Sequence, residues 1–283
     1  MLKFEKYHGT GNDFIIVHEK DLIEKGIPDY SELSSQICDR HFGIGADGLL
    51  ILKYVANMPF MFYYNSDGSQ APMCGNGIRC FSHYLKNNNI EMNNVFTVKT
   101  VPGDLTIETS EDEENDSFFA KVNMGKPIFD VKKLINTEKE QFLKEKIEID
   151  GEKIEISYIF MGTDHSVIFV EDFNKYDINL LGSKIENHTE LFPKKVNVNF
   201  VKVYDREHID VNTWERGAGR TLSCGTGVTS SVVLSRMFGF VEERVNVKVP
   251  GGNLLIEYDS YGSEAFMTGP SEKIAEGYYK YKR

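Results

Sequence analysis

Two short stretches of the chain, Cys74-Gly75-Asn76-Gly77 and Cys224-Gly225-Thr226-Gly227, share one pattern, a cysteine directly before a turn bracketed by glycines. Apolar residues recur at helical spacing after each stretch, which predicts that both cysteines stand at the start of a helix. A helix start carries unpaired backbone N–H groups and the positive end of the helix dipole. We therefore expect a lowered pKa and a reactive thiol at both positions.

The two stretches belong to a longer internal repeat. In each half a Gly-Thr turn leads into an apolar strand, a polar loop comes next, then the cysteine, and then a Pro-Gly turn between strand-like segments. These landmarks begin at Gly9, Asn65, Cys74 and Pro102 in the first half, and at Gly162, Glu215, Cys224 and Pro250 in the second. Aligned at the Gly-Thr turns, the repeat places Asn12 opposite His165. The sequence therefore predicts two homologous halves, each presenting one cysteine.

The local patterns indicate a mixed α and β structure. Helices are predicted at Ser31–Cys38 and at Thr137–Lys146, where Thr137 and Glu140 fit a capping box. The polar and weakly patterned segment Lys126–Glu152 is the expected connection between the halves. Strands are predicted at Leu49–Leu52, Phe60–Tyr64 and Val245–Val249.

Composition excludes several classes of function. A formal net charge of −11 argues against a phosphate-binding surface, so nucleic acid is not an expected partner. No apolar run approaches the roughly 20 residues that cross a bilayer. The N-terminus has no signal-peptide core, so a cytoplasmic location is expected. Four scattered cysteines form neither a disulfide framework nor the paired spacing of a structural zinc site, and no metal is expected.

Two thiols facing one small pocket would have a defined chemistry. If the halves face each other across a pseudo-two-fold axis, Cys74 and Cys224 converge on one cleft. A thiolate removes a proton from one face of a carbon, and a thiol returns one to the other face, which inverts the configuration. Backbone N–H groups at the helix starts would bind a substrate carboxylate and favour the negative charge that develops next to it.

Cysteines, histidines and ion pairs also occur in proteins for purely structural reasons. A cysteine is most often a small buried apolar residue, and this is the interpretation for Cys38 and Cys80. His165 alone is compatible with a structural histidine, and Glu215-Arg216 with a solvated ion pair. A competing hypothesis from another class is a thiol redox switch in which Cys74 and Cys224 form a reversible disulfide.

At these motifs the sequence resembles the diaminopimelate epimerase family, the cofactor-independent enzymes that interconvert LL- and meso-diaminopimelate. The similarity covers essentially the whole chain. The matching motifs are His8-Gly-Thr-Gly-Asn12-Asp-Phe, Gly43-Ile-Gly-Ala-Asp47-Gly, Asn65-Ser-Asp-Gly-Ser, Cys74-Gly-Asn-Gly-Ile-Arg-Cys80, Phe192-Pro-Lys-Lys-Val-Asn197, Trp214-Glu-Arg-Gly-Ala-Gly219 and Cys224-Gly-Thr-Gly.

The resemblance implies an α/β (α+β) fold of two pseudo-symmetric domains, each a β-barrel-like sheet wrapped around a central helix. The final strand returns to the N-terminal domain, so the expected domains are residues 1–126 with 270–283, carrying Cys74, and residues 127–269, carrying Cys224. It also implies a homodimer that works without a cofactor.

Site residues follow from the same resemblance. The catalytic cysteines are Cys74 and Cys224, with His165 and Glu215 as polar groups beside the pair. The implied substrate contacts are Asn12, Asn65, Gly75, Asn76, Asn197, Glu215, Arg216, Gly225 and Thr226.

The chain departs from the family pattern at the turn Gly162-Thr163-Asp164-His165, where the family has Gly-Asn-Pro-His. Arg220 stands where many members carry glutamate, and residues 229–231 are hydroxylic where small apolar residues are usual. Arg216 and Asn197 remain to bind a distal carboxylate, so diaminopimelate is the expected substrate. The alternative is a racemase of another amino acid, for example histidine, on the same fold.

Overall fold

The computed structural model describes residues 1–112, 114–115 and 117–282, so Arg283, the last residue of the expected first domain, lies outside the described residues. The chain divides into two compact units. Unit 1 comprises Met1–Val122 together with the segment from Thr268 onward, and unit 2 is Asn123–Met267. Within the described ranges, no helix is long and apolar enough to cross a membrane.

Unit 1 combines a sheet with three helices in its described residues. Its elements in chain order are β1 (Leu2–Gly9), β2 (Asn12–His18), α1 (Glu19–Glu24), α2 (Tyr30–Ile37), β3 (Gly48–Val55), β4 (Met58–Asn65), β5 (Gln70–Ala71), α3 (Gly75–Asn87), β6 (Val95–Thr100), β7 (Gly103–Asp112) and the first part of β8 (Ser117–Gly125). β2 pairs with β3 and β4 with β6 in parallel. The pairs β1–β2, β3–β4, β4–β5, β6–β7 and β7–β8 are antiparallel.

Unit 2 repeats this arrangement. After the end of β8 its elements are β9 (Glu145–Ile149), β10 (Glu152–Phe160), β11 (Asp164–Phe169), a 3₁₀ turn (Phe173–Lys175), α4 (Ile178–Glu186), β12 (Asn197–Val203), β13 (His208–Glu215), β14 (Gly219–Thr221), α5 (Gly225–Met237), β15 (Arg244–Val249), β16 (Gly252–Glu257) and the start of β17 (Ala265–Tyr279). The parallel pairs are β11–β12 and β13–β15. The pairs β10–β11, β12–β13, β13–β14 and β15–β16 are antiparallel.

The order of parallel and antiparallel pairs is therefore the same in both units, and the internal repeat extends to strand topology. The last strand, β17, continues into unit 1, where it pairs antiparallel with β1 from Leu2 opposite Tyr279 to His8 opposite Glu272. The mixed α/β fold class predicted from the sequence is confirmed.

The alignment of the halves at their first turns is wrong by two residues. Phe14 is the first residue of β2 to pair with β3, and His165 is the first of β11 to pair with β12, so these two are equivalent. The turn between β10 and β11 is one residue longer than the turn between β1 and β2. Asn12 is consequently equivalent to Thr163, and not to His165.

The predicted strands are all present within β3, β4 and β15, and the predicted helix at 31–38 is confirmed as α2. Asp29 caps α2 by accepting from the Glu32 N–H at 2.9 Å. Asp is a preferred N-cap residue because its carboxylate satisfies one of the donors that a helix start leaves without a partner.

The predicted helix at Thr137–Lys146 is wrong. Its apolar residue Phe142 is buried in the core of unit 2, and the Phe142 carbonyl accepts from the Tyr158 N–H of β10 at 2.7 Å. Because a strand takes up this backbone group, the segment forms no helix and leads into β9. The wider segment Lys126–Glu152 is therefore no connection between units, since it lies inside unit 2 and contributes to its core.

Helices α3 and α5, which follow the two cysteines, are largely buried in their own units. The unusual hydroxyl residues of α5 fit this burial, since Thr229 and Ser231 donate to the carbonyls four residues earlier at 2.9 and 2.7 Å. A buried hydroxyl with an intrahelical partner costs little, which accounts for Thr229 and Ser231. Nothing in the described residues explains Ser230, whose buried hydroxyl has no hydrogen-bond partner there.

Helix α4 packs against β13 at Gly182, and we predict that Gly182→Ala destabilises the protein. A Cβ atom at this position would lie 2.6 Å from the Trp214 Cβ atom. Overpacking of this kind costs about 1–3 kcal/mol, measured as a shift of the urea unfolding midpoint. Ser183→Ala on the same helix serves as the control, with a change of less than about 0.5 kcal/mol. Equal effects of the two substitutions would contradict this account of the helix contact.

Candidate functional site

Cys74 is the N-cap residue of α3, as the sequence predicts. Its backbone is extended, with φ −138° and ψ 126°, and its sulfur accepts from the Gly77 N–H at 3.5 Å. The first intrahelical donor is the Ile78 N–H, which bonds the Cys74 carbonyl at 2.9 Å. The amides of Gly75 and Asn76 precede that donor and lie at the positive end of the helix.

Asn12 and Asn76 lie beside this cysteine in unit 1. The Asn12 side-chain oxygen accepts from the Cys74 thiol at 3.7 Å and from the Asn76 amide at 3.2 Å. The Asn12 amide donates to Asp47 at 2.7 Å. Three of the residues that the resemblance assigns to the site are thus brought together by direct hydrogen bonds.

A charged cluster fixes Asn12 in place. Arg40 donates through two nitrogens to Asp13, at 3.2 and 2.8 Å, and through one of them to Asp47 at 2.7 Å. Burial opposes ionisation of Asp13, but hydrogen bonds from Arg40 and Lys6 hold the pKa of this carboxyl at about 2. Asp47, which accepts from the Asn12 amide, therefore belongs to an ion-pair network with Arg40 and Asp13.

Arg79 is a buried residue of this site that the sequence analysis missed. Its side chain is 0% exposed and donates to the Asn76 side-chain oxygen at 3.0 Å and to the Thr10 hydroxyl at 3.2 Å. Burial lowers the pKa of Arg79 to about 10, so the group remains a cation at neutral pH. No local pattern marks it, because burial of an arginine depends on residues distant in sequence.

Asn65 stands apart from this group. It ends β4, its side-chain oxygen accepts from the Tyr63 hydroxyl at 2.7 Å, and its amide donates to Ser69 at 2.9 Å. These two hydrogen bonds hold the Asn65 side chain within its own turn.

Cys224 is the N-cap residue of α5 in unit 2, again as predicted, and its side chain is buried. The expectation of a lowered pKa is wrong here. Burial and the negative charge of Glu215, which also accepts a hydrogen bond from the thiol, raise the pKa of Cys224 well above its usual value. Desolvation and a neighbouring carboxylate outweigh the helix dipole, so this cysteine is a thiol at neutral pH.

His165 lies fully buried beside the same helix start. Its Nε2 atom is 2.9 Å from the hydroxyls of Thr226 and Thr163, and the Thr226 hydroxyl is 3.6 Å from the Cys224 sulfur. Burial, with the positive charge of Arg216, lowers the pKa of His165 to about 3. The ring is therefore neutral at physiological pH.

Asn199, which the sequence analysis also missed, fixes the tautomer of this histidine. Its amide donates to the Ser166 carbonyl at 3.0 Å and to the His165 Nδ1 atom at 3.1 Å. Nδ1 is therefore the acceptor, so Nε2 carries the proton and donates to a threonine hydroxyl. Gly227 makes room for this amide, since a Cβ atom there would lie 2.2 Å from the Asn199 oxygen.

The Asn197 side chain forms a hydrogen bond with the Arg216 backbone. The Asn197 side-chain oxygen accepts from the Arg216 N–H at 2.9 Å, and its amide donates to the Asp164 carbonyl at 2.8 Å. The guanidinium of Arg216 donates from Nη1 to the Asp164 carboxylate at 3.3 Å and to the Lys194 carbonyl at 2.7 Å. Asn197 thus links the two segments that carry Arg216 and His165.

The turn that carries Glu215 and Arg216 rests on Glu186, a buried residue of α4. Its carboxylate accepts from the Trp214 indole at 2.8 Å and from the Gly217 N–H at 3.1 Å. Arg220 donates to Asn212 of β13 at 2.7 Å.

Within the described residues, no group of three or more His, Cys, Asp or Glu side chains is arranged to hold a metal.

The matching family model and two relatives similar in sequence carry the same family name. The family model described as diaminopimelate epimerase matches residues 4–129 and 157–274. The diaminopimelate epimerase of Alkaliphilus metalliredigens is 43% identical over 281 residues, covering 98% of this chain and 97% of that protein. That of Halothermothrix orenii is 42% identical over 282 residues, with coverage of 98% and 97%.

A solved structure shows the same fold at much lower sequence identity. The crystal structure of a hydroxyproline epimerase from Agrobacterium vitis matches with a TM-score of 0.70 and 13% identity, covering 98% of this chain and 91% of that one.

We predict that burial of neutral His165 makes the protein less stable in mild acid. The unfolded chain binds a proton near pH 6.5, but the folded ring resists it down to about pH 3. Stability is therefore full above pH 6.5 and falls as the pH is lowered. Between pH 7 and 5 the wild type should lose about 2 kcal/mol more than His165→Gln, measured by urea unfolding. The other histidines are common to both proteins, and an equal pH dependence would contradict the neutral ring.

Proposed function

Because the chain belongs to the diaminopimelate epimerase family, we propose that it is an isomerase interconverting LL- and meso-2,6-diaminopimelate without a cofactor. One observation carries the proposal. Each unit places a cysteine as the N-cap residue of a buried helix, among polar groups suited to an acid–base reaction at a carbon next to a carboxylate.

The reaction is proposed to be a two-base inversion. The thiolate of one cysteine removes the α-proton and becomes a thiol, and the thiol of the other returns a proton to the opposite face and becomes a thiolate. The pair of cysteines exchanges roles in the reverse direction. Amides at the two helix starts, Gly75 with Asn76 and Gly225 with Thr226, would bind the α-carboxylate and stabilise the charge that develops there.

The surroundings of the two cysteines suggest which is the base in the resting enzyme. Cys224 is kept protonated by burial and by Glu215, which makes it the acid. Cys74 interacts electrostatically with the Arg79 cation and its sulfur accepts from the Gly77 N–H at 3.5 Å, so a negative charge is better accommodated there. The same arrangement gives His165 and Glu215 a supporting role, the histidine by orienting Thr226 and the glutamate by controlling the Cys224 proton.

The remaining site residues are proposed to bind substrate. Arg216 would form a bidentate contact with the distal carboxylate, supported by Asn197. Asn65 would contact substrate from the end of β4. We further propose that the units act as the two epimerase domains, that the enzyme is a cytoplasmic homodimer, and that no metal takes part.

A second candidate is racemisation of another amino acid by the same two cysteines. The observation that favours it is the Thr163-Asp164 pair, because Thr163 is equivalent in unit 2 to Asn12 and lacks the amide that Asn12 uses. A thiol redox switch is a third possibility, and all four cysteines are free thiols in this structure.

The substrate is tested by proton exchange. We expect reduced protein in heavy water, without added cofactor, to exchange the α-proton of LL-diaminopimelate, seen by NMR, and to form the meso isomer, seen by chiral analysis. L-Histidine and other L-amino acids in parallel tubes should not react. Exchange of another amino acid alone would identify the second candidate. Activity or binding that appears only after oxidation would favour the redox switch.

The cysteines are tested by substitution. Cys74→Ser and Cys224→Ser should each lower kcat by at least about a thousandfold, because serine is a poor acid and base at neutral pH. Cys38→Ser and Cys80→Ser are the matched controls and should keep most of the activity. Burial raises the pKa of both control thiols to about 12, so they are unreactive in the fold. Turnover that survives in either of the first two variants would refute the two-base scheme.

A further inference from the structure

We propose that Asp164 is a positioning residue that orients the Arg216 guanidinium toward the distal carboxylate of the substrate, an inference that rests on the proposed function. Asp164 and Arg216 both lie in unit 2.

The side-chain hydrogen bonds that the structure describes for Arg216 come from a single nitrogen of its guanidinium, Nη1. In the part of the chain that the structure describes, its side chain donates only from Nη1, to the Asp164 carboxylate at 3.3 Å and to the Lys194 carbonyl at 2.7 Å. Nη1 has two hydrogens, and these two acceptors use both. These two bonds leave the Nε and Nη2 edge to a further acceptor, and its two parallel N–H groups match a carboxylate in a bidentate pair.

Asp164 is itself held rigidly enough to direct this cation. Its side chain is 9% exposed. Its other carboxylate oxygen accepts from the buried Tyr158 hydroxyl at 2.5 Å, and its backbone carbonyl accepts from Asn197 at 2.8 Å. The pair therefore belongs to a connected network, and a network of this kind restricts the rotamers of a long side chain before the ligand arrives.

The internal repeat supplies an independent parallel. Asp13 follows Asn12 in β2 as Asp164 follows Thr163, and the strand pairing makes these aspartates equivalent. Asp13 also binds an arginine, since Arg40 donates to it at 3.2 and 2.8 Å. In unit 1 this pair positions groups around Asn12, which touches Cys74. An aspartate that binds an arginine therefore occurs at the same place in both units.

Proline at position 164 would leave this arrangement without its acceptor, because its ring has no carboxylate to receive the guanidinium or the Tyr158 hydroxyl. Asp164 instead places a negative charge within reach of Arg216. We infer that its net effect is to orient the arginine and so to favour substrates with a second carboxylate.

The test compares Asp164→Ala with Asp164→Asn. Alanine removes both carboxylate oxygens of Asp164. Asparagine keeps the shape of the side chain and one oxygen acceptor, but it removes the charge. For Asp164→Ala we expect KM for diaminopimelate to rise about tenfold with kcat within about threefold, because a misaligned arginine loses a charged hydrogen bond to the substrate. Asp164→Asn should recover part of this loss. Glu138→Ala, at an exposed position, is the control and should change neither constant.

Two other results for KM would overturn the proposal. A fall in KM in both Asp164 variants would show that this carboxylate competes with the substrate for Arg216. An unchanged KM, or a loss confined to kcat, would show that Asp164 does not position the arginine for binding.

A second readout separates this inference from the proposed function, because it needs no substrate. In protein labelled with ¹⁵N-arginine, rotation about the Cζ–Nη1 bond of Arg216 is measured by NMR, with the resonance assigned by its loss in Arg216→Lys. Slow rotation in the wild type and fast rotation in Asp164→Ala are expected. Equal rates would overturn the positioning role. Absence of wild-type turnover with every amino acid tested would instead refute the proposed function and leave the NMR result to decide on Asp164.

Discussion

The burial of a helix start is the constraint on which both cysteine sites depend. At α3 and α5 most of the first residues after the cysteine are buried, and added side chains at two glycines there would meet close neighbours. A Cβ atom at Gly77 would lie 3.3 Å from the Cys74 Cβ atom, and one at Gly227 would meet the Asn199 oxygen at 2.2 Å. The glycines therefore let the sulfur, the helix amides and neighbouring strands approach one another closely.

Burial at these positions also sets the charge of each group. In unit 2, Cys224 remains a thiol and His165 a neutral ring, because desolvation disfavours the thiolate and the imidazolium alike. In unit 1 the buried group next to the cysteine is a cation, Arg79. Two halves with the same strand topology thus give their cysteines opposite electrostatic surroundings.

Much of the fold could be predicted because its signals are local. The helix starts at Cys74 and Cys224 and the short strands follow from glycine placement and apolar periodicity over a few residues. The helix predicted at 137–146 also had a local signal, its capping box, but the prediction was wrong. A distant strand binds the Phe142 carbonyl there, and such a contact leaves no local pattern in the sequence. The misalignment of Asn12 with His165 arose because one turn is a residue longer, a difference that only strand pairing reveals.

By itself, the sequence determined the repeated architecture, the placement of both cysteines at helix starts and the family to which the chain belongs. Only the tertiary structure decided the ionisation of Cys224 and His165, and the hydrogen-bond partners of Arg79, Asn199, Glu186 and Asp164. The physical reason is that helix starts and turns depend on neighbouring residues. Desolvation and hydrogen-bond partners depend instead on groups that folding brings together from distant parts of the chain.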